Sequence, residues 1–231
     1  MSLDVTYHPF AAEEVRDVYF DGLADAHALL PRLAERFGLT AEQLQGLQTC
    51  FDEARTFPAD ALFSRTHGMM MAIVAGYLRP YWYLRGGAFS FLLEDAPVFA
   101  DYITDWRSLT PDWVRHADSP GLAGHHSCGV FIDRDGLRRL RADHAAGGTV
   151  AHHLDTVFSD GRLEVFWKAA DHAIAEGLGL IEAVDVLIPN PFDVKDVHCV
   201  SWLANCNGEG AMLYAAAARE RLRQMQTMLD E

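Results

Sequence analysis

The chain has 231 residues, half of them hydrophobic, with 33 acidic and 19 basic residues and a formal net charge of −14. So apolar a composition builds a full core and excludes global disorder. A surface this acidic repels phosphate backbones and anionic headgroups, so neither nucleic acid nor membrane is an expected partner, whereas a basic protein or a cation is electrostatically favoured.

Taken in chain order, the first part reads as helical. Val15, Val18, Tyr19 and Leu23 fall on a helical spacing within Ala11–Leu23. Pro31 suits the first turn of a second helix that ends at Gly38. Thr40 and Gln43 form a capping box for a third helix toward Arg55. Residues 1–60 carry eleven acidic and four basic residues, a large share of the negative charge. The run from His67 to Leu78 is apolar on every side and predicts a buried helix that Pro80 stops. Short helices are expected at Val98–Trp106 and Pro111–His116.

The second part mixes strands and helices. Cys128–Asp133 predicts a short buried strand, and Asp133 or Asp135 caps a helix to His144 that carries four arginines. Leu163, Phe166, Trp167, Ala170 and Ile174 form one face of a helix over Gly161–Glu176. Leu180–Ile188 and Val197–Cys206 read as two antiparallel strands, and a long helix closes the chain with Tyr214, Ala218, Leu222, Met225 and Leu229 in one stripe. The expected fold is α+β and helix-rich. It has a small, mostly antiparallel sheet of about three strands in the C-terminal half and a long C-terminal helix. One domain spans 1–231, with a mainly helical part (1–118) and a mixed part (125–231), and the Gly/Pro-rich stretch 119–124 between them is a loop.

Cys50, Cys128, Cys199 and Cys206 include no C-x-x-C pair and lack the density of a secreted disulfide framework. Met1–Phe10 has no basic segment followed by an apolar one, so the expected location is the cytoplasm. Lys168 and Lys195 are the only lysines, and this bias toward Arg and Ala suggests a bacterial source.

Three groups of residues are candidates for chemistry. Six of the eleven histidines lie between His116 and His153, including the adjacent pairs His125–His126 and His152–His153. Imidazoles are good zinc ligands, and one member of each pair with Asp155 would make a site, although the spacings match no common zinc motif. Arg79, Tyr81, Trp82, Tyr83 and Arg85 offer stacking and cation–π contacts to a ligand, or simply core packing. Cys128 in Gly-His-His-Ser-Cys-Gly resembles a nucleophile beside imidazoles, but its place at the start of a strand favours burial. Asn205–Gly210 leads into the last helix without the Lys and Ser/Thr of a phosphate loop.

The first functional expectation is a non-enzymatic, cofactor-free acidic binding protein, of the bacterial immunity or inhibitor kind, docking onto a basic protein. The alternative is a zinc-type metal-dependent enzyme, a hydrolase, using the histidines of the 116–153 region.

Overall fold

The computed structural model describes residues 4–193 and 195–230. It opens on β1 (Asp4–Phe10), a strand buried along its whole length. A π-helical turn (Val15–Phe20), α1 (Asp21–Phe37), α2 (Ala41–Ala54) and α3 (His67–Leu78) follow, then β2 (Tyr81–Arg85), α4 (Ser90–Asp95) and α5 (Trp106–Leu109). After a long irregular stretch come β3 (Cys128–Ile132), α6 (Arg134–Ala146), α7 (Gly148–Val157), α8 (Arg162–Glu176) and β4 (Gly179–Val184). β5 (Leu187–Pro189), β6 (Val197–Cys199), β7 (Cys206–Asn207) and α9 (Glu209–Asp230) complete the chain.

Local chemistry sets many of the helix ends. The Thr40 hydroxyl accepts from the Gln43 amide while the Gln43 side chain accepts from the Thr40 amide, the predicted capping box. Gly38 closes α1 in the left-handed region (φ 64°), where a side chain would be strained. The break expected at Pro31 falls at Asp25 instead, whose non-helical backbone (φ −152°) kinks α1 and whose carboxylate accepts from the Ala28 amide at 3.0 Å. Asp133 caps α6 by accepting from the Gly136 amide.

The main sheet has five strands in the order β3-β4-β1-β2-β7, antiparallel except for the short parallel pairing of β2 with β7. α3 lies against one face, with α1 and α2 behind it. α8, α6 and α4 cover the other. The layers are therefore helix, sheet, helix, and the sheet is larger than the three strands expected in the C-terminal half. The two additional central strands, β1 and β2, come from the part expected to be mainly helical. Both are buried on both faces, so neither shows the alternation of polar and apolar residues that marks a half-exposed strand. Pro9 also argues against a central strand, yet β2 pairs only with Asp4–Tyr7, and Pro9 lies where β1 has lost that neighbour. The expected hairpin near the C-terminus is divided: Leu180–Val184 joins the main sheet, while β5 pairs with β6 in a separate two-stranded sheet.

Alternation along β1 sends Val5 and Tyr7 to the α8 face and Thr6 and His8 to the α3 face. The Thr6 hydroxyl donates to the Ala183 carbonyl at 3.3 Å, which uses its one proton. The His8 Nε2–H therefore donates to Thr6 Oγ1 at 2.9 Å, and Nδ1 remains as a buried lone pair without a partner among the described residues. The ring stacks on Tyr81 at 4.7 Å between centroids. Burial pushes the His8 pKa down to about 3. A lowered folded-state pKa means that the unfolded chain binds the proton more readily, so stability falls as pH drops from about 6.5 toward 3, by on the order of 5 kcal/mol in full. Denaturant unfolding at pH 7 and pH 5 will show the native chain losing stability relative to His8→Gln at the lower pH, and an unchanged difference would show that His8 does not contribute.

Candidate functional site

β3 carries a bulge: Cys128 pairs with Ala183 and Phe131 with Ile181, so three steps on β3 match two on β4. The bulge turns the Gly129 carbonyl to the indole of Trp106, which donates to it at 2.8 Å. The Thr104 amide donates to the Phe131 carbonyl at 2.9 Å and partly covers this sheet edge. Between the bulge and the irregular segment 110–127 lies a cleft of about 420 Å³. Its apolar wall is formed by residues such as Phe63, Trp106 and Leu122, and its polar groups include Ser64, Arg107 and His116.

The covering segment is tied down along its length. Arg107 donates to the Ala117 carbonyl at 2.9 Å, and Arg65 donates to the Ala123 carbonyl. The Phe63 amide donates to the Arg115 carbonyl at 2.8 Å. His125 Nδ1 meets Asp185 Oδ2 at 2.9 Å, with the imidazole exposed and the carboxylate buried. Both Asp185 (φ 58°) and His126 (φ 51°) hold left-handed backbone without being glycine.

Two polar groups of the cleft have clear protonation logic. The Thr110 hydroxyl donates to the Trp106 carbonyl at 3.0 Å, so His116 Nε2 donates to Thr110 Oγ1 at 2.9 Å and Nδ1 is left as an acceptor. Burial, and then the Arg107 cation, hold His116 below the ordinary imidazole range. The Ser64 hydroxyl is buried and has no partner among the described residues.

Behind the cleft floor sits Glu182, completely buried in β4 opposite Tyr7. Its Oε2 lies 3.0 Å from the Tyr7 hydroxyl, whose single proton is shared with the Gly87 carbonyl at 2.8 Å, and it accepts from the amides of Phe89 and Ser90. Burial raises its pKa, and the hydrogen bonds only partly offset that. A Cβ on Gly129 would stand 2.4 Å from Glu182 Oε1 and 3.0 Å from Leu122 Cδ2. Only glycine here lets Leu122, on the covering segment, settle against the strand that hides the carboxyl.

The residues singled out from sequence fall in several places. His125 and His126 are on the covering segment, whereas His152 and His153 lie on α7, where His153 meets Phe99 edge-on at 6.1 Å. Asp155 binds His144 at 3.1 Å. Among the described residues, no group of three or more His, Cys, Asp or Glu side chains is arranged to hold a metal. Arg79 is bonded to the buried Glu14, and Tyr83 donates to Asp4. Tyr81 meets the Cys199 thiol at 3.3 Å, while Trp82 faces the opposite side of the sheet, near His172. Of these five residues, Arg85 reaches a cavity, on the far side of the molecule's sheet from β3. Cys128 is buried and its thiol is pushed up by burial first and Glu182 second, which disfavours a thiolate. Cys199 and Cys206 lie on separate short strands rather than one, and burial pushes Cys206 up to about 12. Asn205 donates to the carbonyls of Gly76 and Tyr77, so its loop secures the end of α3.

Ser64, Trp106, Glu182 and Asp185 were not marked by sequence reasoning. Two signals for the site were present: a lone glycine inside the apolar run Cys128–Ile132, which indicates a bulge, and a lone acid inside Leu180–Val184, which indicates a buried carboxyl. No helix among the described residues is long and apolar enough to cross a membrane. No protein-family model, no curated protein and no solved structure matches the chain.

The raised pKa of Glu182 gives a signed expectation. The folded state holds its proton more tightly than the unfolded chain does, so this contribution is complete below pH 4.5 and is lost as pH rises through the folded-state value. Urea unfolding from pH 4.5 to 8 will show the native chain losing stability relative to Glu182→Gln as pH rises, whatever the net trend set by His8 and other groups; a constant difference between the two proteins would show that Glu182 is not the titrating group.

Proposed function

We propose that the protein binds a small organic molecule in the cleft beside the β3 bulge. The volume falls within the roughly 300–1,000 Å³ typical of small-molecule sites. Phe63, Trp106 and Leu122 supply contact for an apolar body, and His116 Nδ1 supplies an acceptor for a donor on the ligand. The observation that carries the reading is the Ser64 hydroxyl. A buried hydroxyl without a partner among the described residues costs about 1–3 kcal/mol, which a ligand atom in the cleft would recover once the Ser64 side chain rotates toward it. Net charge favours a basic protein partner but designates no surface, whereas the cleft is a defined place with directional groups. A thermal-shift screen of fragments with an aromatic ring and one hydrogen-bonding group tests this. Hits are expected to be lost in Ala117→Trp, which fills the cleft, and weakened about tenfold in Ser64→Ala, whose free form is as stable as the native chain or more so. Hits that survive Ala117→Trp would place binding elsewhere.

A second reading is favoured by the His125–Asp185 pair. A buried carboxylate orienting an exposed imidazole is a general-base arrangement, and the left-handed backbone at His126 and Asp185 costs about 1–3 kcal/mol per residue, which the surrounding structure must support. Hydrolysis of p-nitrophenyl acetate at pH 8 is the probe. A rate above that of free imidazole, lost in both His125→Gln and Asp185→Asn, is the expected result; equal rates in all three proteins would remove it.

A further inference from the structure

A second cavity, of about 500 Å³, lies between α9, the end of β2 and the segment around Phe192. In a chain of net charge −14, its wall carries three arginines, Arg85, Arg162 and Arg221, against a single carboxylate, Asp160. We propose that this cavity binds an amphipathic organic anion, a carboxylate with an aliphatic or aromatic body.

Two of the cations are held in fixed positions. Arg85 is paired with Asp4, and its guanidinium lies 4.5 Å over the ring of Tyr214. Arg162 donates to the Arg85 carbonyl at 3.1 Å and to the Ser159 hydroxyl at 2.7 Å, and meets Asp160 at 3.4 Å. Asp4 and Asp160 thus compensate two of the three charges. Arg221, on an exposed turn of α9, makes no hydrogen bond or ion pair among the described residues, so it supplies the uncompensated charge. The first turn of α9 is held close to β2: a Cβ on Gly210 would lie 1.7 Å from the Tyr83 carbonyl oxygen. That approach brings Leu213 and Tyr214 beside Arg85. In the same wall, Phe192 and Leu222 remain 57% and 50% exposed, an apolar surface that a ligand body would cover. A guanidinium recognises a carboxylate by two parallel hydrogen bonds, and the neighbouring apolar wall selects against small hydrophilic anions.

The test uses 1-anilinonaphthalene-8-sulfonate fluorescence, with octanoate and octanol as competitors of equal chain length. Octanoate is expected to displace the dye and octanol to do so at least tenfold less well. Arg221→Glu should weaken octanoate at least tenfold, while Met225→Asp, on the exposed end of α9 outside the cavity, and Ala117→Trp, in the other cleft, should leave it unchanged. Circular dichroism of each variant checks the fold, which Arg221 does not support through any bond among the described residues. The proposal fails if octanoate does not compete, if octanol competes equally, if Arg221→Glu retains native affinity, or if Met225→Asp weakens binding as much as Arg221→Glu does.

Discussion

Asp4, Thr6, Tyr7 and His8 place four polar side chains in the interior of the protein, on one strand that is itself covered on both faces. An unpaired buried polar group costs more than a typical hydrogen bond returns, so three of the four take partners from elsewhere in the chain, and His8 bonds through Nε2 to Thr6 on the same strand. The partners come from distant parts of the chain: Tyr83 and Arg85 for Asp4, the Ala183 carbonyl for Thr6, Glu182 and the Gly87 carbonyl for Tyr7. A shift of β1 by one residue would exchange its two faces and break all of these contacts at once. The register of β1 against β2 and β4 is therefore set by polar pairing as much as by apolar burial, and the placement of β3, the bulge and the cleft follows from the position of β4.

Glu182 and Gly129 show how that constraint reaches the surface. Glu182 is fixed by Tyr7 on one side and by the Phe89 and Ser90 amides on the other, so its carboxyl cannot move far. The adjacent residue of the edge strand must then be one without a side chain. The missing side chain leaves the space that Leu122 enters, and the bulge at the same residue aims a carbonyl at Trp106. A buried carboxyl in the sheet, a glycine beside it and an indole at the edge are one arrangement, and the cleft is its outer side.

Much of the helical structure was legible because its signals are local. The Thr40–Gln43 box, the glycine at 38, the Asp133 cap and the apolar stripe of α8 all act within a few residues of themselves. β1 and β2 were not legible, since strands buried on both faces have no alternation and the polar residues of β1 are compensated only by remote partners. The site was less legible still. His125 stands out in the sequence, but Asp185, its partner, is 60 positions away and lies beyond the three helices α6, α7 and α8. Ser64 is marked by the absence of a partner, which no local pattern reveals. Arg85 was marked for its aromatic neighbours, yet it reaches its cavity because it ends the strand, while Tyr81, Trp82 and Tyr83 are enclosed.

The central pairing also bears on how the chain acquires its shape during synthesis. Tyr7 and Glu182 are neighbours across the sheet but 175 positions apart along the chain. The first strand leaves the ribosome long before the strand that covers its inner edge, and until then it carries unpaired amides and buried-type polar groups in the open. The β1–β2 pair and α3 can assemble early, but the sheet closes only after β4, Gly179–Val184, has emerged. Long-range pairing of this kind slows folding and leaves a strand edge exposed to other nascent chains. The acidic first sixty residues, which emerge with that edge, repel one another between chains and keep such encounters apart.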